Sequence, residues 1–375
     1  MKNNSLTIMV LLILAAAGLL FAIWGEDYTA IEETPVELTR FAGINPEMID
    51  AIEFQKGGES YQIRRKGREW FLPNLWDSAA DRDEVIRFLD DLKAVSGAEK
   101  RGESAASHNT FEVDAEQGIR VTLMNLDMAP FIDLVIGKAD GNGRSFMRMA
   151  DQDQVYSIQP NLLRRPALGG DTFSAQQWFH KMLFQLPEDA EAREVILTRG
   201  EDRIVLEWVP GAPAETVTGE SGELIQSGTD PEWWIREPEN LRADTNTVKG
   251  MISSLKNVRC EAPLDPADAV AAGLEEPTAS IEVVLVDDSR IILDFGNVQP
   301  LPLGGEGISA RLRGDDRIVV CSDWVRDGLI KGLDELKAVE PVKPEPATVP
   351  ATGGEGGAAI PAPIPVPVPI PSEEG

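Results

Sequence analysis

The chain has 375 residues, with 63 acidic against 35 basic side chains and a formal net charge of −28. So acidic a surface repels phosphate backbones, which argues against nucleic acid as a partner; its ordinary meaning is solubility. Two cysteines, Cys260 and Cys321, and two histidines, His108 and His180, leave little material for thiol, metal or proton-transfer chemistry.

Residues 6–24 contain no charged side chain. As a helix this stretch would cover roughly 28 Å, about one bilayer core. A cleaved signal peptide is the rival reading, because Ala15, Ala16 and Ala17 resemble a small-residue processing site. Cutting there would leave an apolar new terminus, so residues 1–25 are read as an uncleaved N-terminal transmembrane helix. Lys2 precedes it, and Glu26, Asp27, Glu32, Glu33 and Glu37 follow. That asymmetry places the body on the extracytoplasmic (periplasmic) side of the inner, cytoplasmic membrane, as a single-pass protein.

The body is written twice, with residues 49–168 recurring as residues 194–333. Each copy opens on alternating strands about a glycine turn, Lys56-Gly57-Gly58 in the first and Gly200 in the second. A Trp follows (Trp70, Trp234), then a Pro (Pro73, Pro238), then an Asp placed to cap a helix (Asp81, Asp244). The helix carries Val85, Phe88, Leu89, Leu92 and Val95 in one copy and Val248, Met251, Ile252, Leu255 and Val258 in the other. This is one apolar stripe at helical spacing, so Leu89 and Ile252 are both expected in the core, with Asp83 and Asp91 on the solvated side. Asp81 and Glu84 fit a capping box.

Four further strands follow in each copy. Ile136-Gly137 matches Phe295-Gly296, and Cys321 matches Ile158. That match makes Cys321 a plain core side chain, and two buried thiols are expected in preference to a disulfide. The second copy alone carries a polar insertion, residues 210–231, read as an excursion from a hairpin. Between the copies lie Phe173, Trp178, Phe179, Leu183 and Phe184, an apolar stretch expected to pack the units into one body. From residue 340 periodicity ends, and Pro alternates with apolar residues from Pro361 to Pro371. The expected class is α+β: two tandem copies of a unit with antiparallel strands and a covering helix, after the transmembrane helix. The organisation is anchor 1–25, first unit 26–170, connector 171–191, second unit 192–338 and a disordered Pro-rich tail 339–375.

No catalytic constellation emerges: HExxH, CxxC and GxSxG are all absent. Residues 137–143 (GKADGNG) lack the Lys-Ser/Thr ending and the helix of a phosphate loop, and a hairpin turn explains them. The acidic pairs Asp90-Asp91, Asp287-Asp288 and Asp315-Asp316 are adjacent in sequence, so their side chains diverge or are solvated. Asp140-Gly141-Asn142-Gly143 and Asp151-Gln152-Asp153 have calcium-like letters without a twelve-residue loop. Trp70 and Trp234, once per copy beside the helix, are read as core residues and not as stacking platforms. No catalytic, cofactor-binding or metal residue is assigned, and no enzyme or cofactor is expected.

The order of Trp, Pro, Asp-capped helix ending LKxV, paired strands, IG or FG and a last strand such as QVYSI resembles the bacterial family called domain of unknown function 4340. The resemblance covers nearly everything from Leu6 to about Leu333; the copies depart from one another in the insertion, and the tail falls outside the family pattern. It implies a membrane-anchored envelope protein associated with auxiliary components of gliding-motility-like ABC transporters, and it supplies no catalytic residue. The expected function is an accessory or scaffold protein of an envelope transport complex, with an envelope protein as partner. The alternative is an envelope binding module that holds a glycan or peptide.

Overall fold

A computed structural model describes residues 36–339, except 171, 213–214, 219–223, 228 and 303. The stretch at residues 6–24 and the tail from residue 340 lie outside the described residues.

The glycine turns form as expected. β1 (Ala51–Lys56) and β2 (Glu59–Lys66) pair with Lys56 opposite Glu59, about Gly57 and Gly58 with φ of 55° and 87°. Two successive positive φ values suit glycine because a Cβ would clash there. Next come β3 (Glu69–Leu72), β4 (Ser78–Ala79), α1 (Arg82–Lys93), β5 (Ser96–Gly102), β6 (Ile119–Met124), β7 (Pro130–Gly141), β8 (Arg144–Met149) and β9 (Val155–Gln159). They build one nine-stranded sheet in the order β4-β3-β2-β1-β6-β7-β8-β9-β5, every described pairing antiparallel.

After β10 (Met182–Phe184), the second half runs β11 (Ala192–Arg199), β12 (Asp202–Val209), β13 (Glu215–Thr218), β14 (Leu224–Ser227), β15 (Glu232–Glu237) and β16 (Leu241–Arg242). It continues through α2 (Thr245–Leu255), β17 (Val258–Arg259), β18 (Ala262–Pro263), β19 (Ala279–Leu285), β20 (Arg290–Pro300), β21 (Glu306–Leu312) and β22 (Val319–Cys321). Its sheet order, β16-β15-β12-β11-β19-β20-β21-β22-β18, repeats the first position by position. The insertion contributes β13 and β14, which pair only with each other.

The α+β class is corrected, while the stretch read as a transmembrane helix falls outside the described residues. The described protein is mostly antiparallel sheet, and no described helix is long and apolar enough to cross a membrane. In sequence each copy's strands fall into two groups, one before the helix and one after it. In the structure β1 pairs with β6, and β11 with β19, so both groups merge into one sheet and the helix is a minor element. Pairing between segments so far apart leaves no mark on local periodicity.

The helices form for the reasons their sequences give. Asp81 accepts from the Glu84 N–H at 3.0 Å and Asp244 from the Thr247 N–H at 2.7 Å. The capping box does not close, because the Glu84 carboxylate turns to Arg87 at 2.8 Å. Val85, Phe88, Leu89 and Leu92 are buried, as are Val248, Met251 and Leu255, but Ile252 is only partly buried against the core. Asp91 also departs from its reading, since Arg165 binds it at 2.8 Å and covers most of it.

The tryptophan match is one residue out. Trp70 accepts at its carbonyl from the Ala80 N–H, and the second unit makes that bond at Trp233, from the Ala243 N–H. Trp70 and Trp233 are buried at 2% and 3% exposure. Trp234 lies on the other face of β15, half-buried, with the Arg236 guanidinium 5.6 Å above its ring. A slip of one residue in a strand exchanges the faces.

Both units share one apolar core, which runs through Trp178, Phe179, Leu183 and Leu186 of the connector. That connector serves both. The Asp81 N–H donates to the Trp178 carbonyl and the His180 N–H to the Ala79 carbonyl, closing the first unit. β10 then pairs with β17, and the Leu186 N–H donates to the Leu255 carbonyl in the second.

Candidate functional site

Comparing the two units exposes a place where their packing differs. Hairpin registers that pair Lys56 with Glu59 and Arg199 with Asp202 set Phe54 and Tyr61 at the positions of Leu197 and Ile204. The Asp81 N–H bond to the Trp178 carbonyl is repeated by Asp244 and Leu336, which sets Trp178 at Leu336 and, on the same count, Phe173 at Lys331. In the first unit these residues fill the space. Phe54 stacks on Tyr61 at 5.1 Å between centroids, Trp178 lies 5.2 Å from Phe54, and Phe173 closes over Tyr61 at 4.8 Å. The Trp178 indole N–H donates to the Tyr61 hydroxyl at 3.1 Å, and burial pushes the Tyr61 pKa up.

The second unit replaces three rings and an indole with Leu197, Ile204, Lys331 and Leu336. Small-ligand clefts measure roughly 300 to 1,000 Å³, and the one left here measures 590 Å³. Leu197, Ile204 and Ile330 form its buried floor, and Leu333 flanks it. Its charged rim is partly neutralised, with Arg203 paired to Glu237 and Lys331 to Glu335 at 3.5 Å. Arg199 donates to the Ile330 carbonyl at 3.4 Å. Glu201 and Asp202 also line it, and no hydrogen bond or ion pair engages their side chains among the described contacts. An apolar floor beside an acidic turn is the makeup of a binding cleft.

A second concavity, 390 Å³, lies beside the β1–β2 turn, where Arg148, Asp114 and Arg120 contribute. Both arginines are engaged, Arg120 by Asp133 at 2.6 Å. Arg148 Nε donates to the Val113 carbonyl at 2.9 Å, and its Nη1 to the carbonyls of Met149 and Ala150. Arg311 repeats this in the second unit, donating to the Leu274 carbonyl at 2.7 Å. In each unit the arginine ties down the loop that crosses the sheet's far face. There Val113, Val135, Phe146 and Val155, or Ala272, Leu274 and Ile318, make a satellite core. The signal for this arginine in the sequence is its repetition, in SFMRMA and ISARLRG.

A third and smaller groove, 130 Å³, is walled by Trp76, Phe179, Cys260 and Ile318. Trp76 and Asp77 there both adopt left-handed backbone, with φ of 54° and 55°. Cys260 and Cys321 are buried and unbridged. Burial pushes the Cys260 thiol up to about 12 and raises that of Cys321 as well, so neither is a nucleophile near neutral pH.

The remaining candidates separate. His108 meets the Asp153 carbonyl at 3.0 Å and holds a loop, while His180 lies in the connector. Residues 137–143 run down β7 into its turn with β8, where the Asp140 carboxylate accepts from the buried Ser157 hydroxyl beside Arg144. No imidazole stands by that serine, so the group is a brace between strands. Asp91 binds Arg165, Asp287 caps Ser289, Asp288 binds Arg193 and Asp315 binds Arg317. Among the described residues no three His, Cys, Asp or Glu side chains converge as a metal site.

The fold and the cleft define a duplicated, mostly antiparallel β protein with an apolar-floored cleft in its second unit. Residues 70–215 match the family model described as Domain of unknown function (DUF4340), from Trp70 to the first residue of β13. The match supports the family that the motif order resembles. No curated protein and no solved structure matches the chain.

Proposed function

We propose that this protein is a non-enzymatic accessory or scaffold subunit of an envelope complex, with its body outside the cytoplasm and held at the membrane by the uncharged stretch at residues 6–24. The observation that carries the reading is the pair of like sheets locked around one core, which leaves an apolar-floored cleft open in the second unit. The family match is consistent with it, and association with an ABC-transporter-like assembly is part of the proposal, resting on the motif resemblance. Crosslinking in native membranes, followed by identification of the captured protein, tests it. An envelope transport component captured reproducibly is the expected result; capture of nothing but lipid and abundant bystanders would overturn it. Protease added to intact spheroplasts should digest the body, and protection until lysis would reverse the topology.

A binding module for a peptide is the second reading, and the second-unit cleft favours it.

A further inference from the structure

We propose that the cleft of the second unit receives an aromatic side chain, next to a basic residue, from an extended segment of a partner protein. The inference rests on the accessory reading and names the site and chemistry through which the partner would be held.

The first unit shows what fills such a space. There the chain supplies its own plug, as Phe173 lies 4.8 Å from Tyr61 over Phe54 and Trp178. In the second unit the position of Phe173 is Lys331, whose ammonium turns to Glu335 at 3.5 Å. The ring it would have stacked on is Ile204, 9% exposed, and the indole beneath is Leu336. The scaffold is the same, the plug is gone, and 590 Å³ stands open in its place. An incoming aromatic side chain would regain the burial that Phe173 has in the first unit.

Charge decides the flanking residue. Arg203 and Lys331 are already paired, whereas Glu201 and Asp202 project from the turn between β11 and β12 without an ion-pair partner among the described residues. The chain as a whole carries −28, which draws a cationic segment toward that turn. Arg199 would oppose an exclusively cationic ligand, so one base beside the ring fits better than a basic run.

The test uses the full chain in nanodiscs with labelled Ile and Leu methyl groups, titrated with acetyl-Lys-Phe-Lys-amide. Methyl shifts at Ile204, Ile330, Leu197 and Leu333 are expected. Binding should weaken about tenfold or more when Phe becomes Ala, the scale of one buried ring. The double substitution Ile204→Tyr with Lys331→Phe rebuilds the first unit's plug and should abolish the response. Lys331→Phe alone is the milder version should the pair misfold. Equal binding of the Ala peptide, unchanged binding to the plugged protein, or no shift at those methyls would each overturn the proposal. A photocrosslinker at Trp324, 67% exposed and outside the cleft, separates the two readings. A partner captured there without any peptide response leaves the accessory role standing and removes the cleft; a peptide response without a captured partner does the reverse.

Discussion

Gly137 and Gly296 show how much one absent methyl group can decide. Each sits where its long strand slips register against the next, and each faces the loop crossing behind the sheet. A Cβ on Gly137 would stand 2.2 Å from the Phe111 carbonyl oxygen, and one on Gly296 would stand 2.0 Å from that of Ala272. Backbone cannot yield as a side-chain tip can. Gly137→Ala and Gly296→Ala should therefore each cost roughly 1 to 3 kcal/mol, the range for overpacking, read as the fall in chemical unfolding midpoint. Gly43→Ala, where a Cβ meets nothing within 4 Å, is the control. Wild-type stability in either loop-facing variant would mean the crossing loop is not held against the sheet. At this scale the sequence was legible wherever both copies agreed, as in the IG and FG pairs. It misled where two candidates stood side by side, since Trp233-Trp234 offers no local reason to choose the first.

Among elements, the helices were the most readable because their stripe, cap and closing LKxV phrase all depend on near neighbours. The two stripes are nonetheless unequal. Leu89 is fully buried, whereas Ile252 keeps part of its surface exposed. Leu89→Ala should cost roughly 2 to 5 kcal/mol, and Ile252→Ala about 1 to 2 kcal/mol because less surface returns to water. Asp91→Ala should cost roughly 1 to 3 kcal/mol, since it strips a charged hydrogen bond from half-buried Arg165. Asp83→Ala, at a site 78% exposed, should change stability by less than about 0.5 kcal/mol. Thermal unfolding of the four variants orders them, and Asp83 ranking with Asp91 would refute the ion-pair account. Sheet order was not readable in this way, because β1 meets β6 only after α1 and β5 have intervened. The open cleft was readable in principle: aligning the copies and asking where Phe54, Tyr61, Phe173 and Trp178 lose their rings would have marked it.

At the scale of the whole molecule, the connector joins the two sheets through specific bonds as well as apolar packing. Lys181 binds Glu261 at 2.9 Å, the Lys181 carbonyl accepts from the Cys260 N–H, and the Gln176 amide donates to the Glu261 carbonyl. The Lys181 hydrogen bond holds the Glu261 carboxyl below its ordinary value of 4.5. A depressed carboxyl pKa stabilises the fold above that ordinary value, and the benefit is lost as pH falls through the folded value. Lys181→Met should accordingly flatten the acid limb of the stability curve below pH 4.5 while retaining the fold, and an unchanged limb would show that the pair is not coupled to folding.

One core spanning both sheets also predicts that damage in one half is felt in the other. Cys260 and Cys321 lie in the second half, buried, with thiols that burial makes unreactive in the native state. Their labelling during denaturant titration reports on that half alone, whereas circular dichroism reports on both sheets. Gly137→Ala strikes the first half. If the shared core couples them, this substitution lowers the midpoint for thiol labelling as far as it lowers the midpoint for lost sheet signal. Thiols that keep their wild-type midpoint while part of the dichroism is lost early would mean that the two sheets unfold independently, and that the connector packs without coupling them.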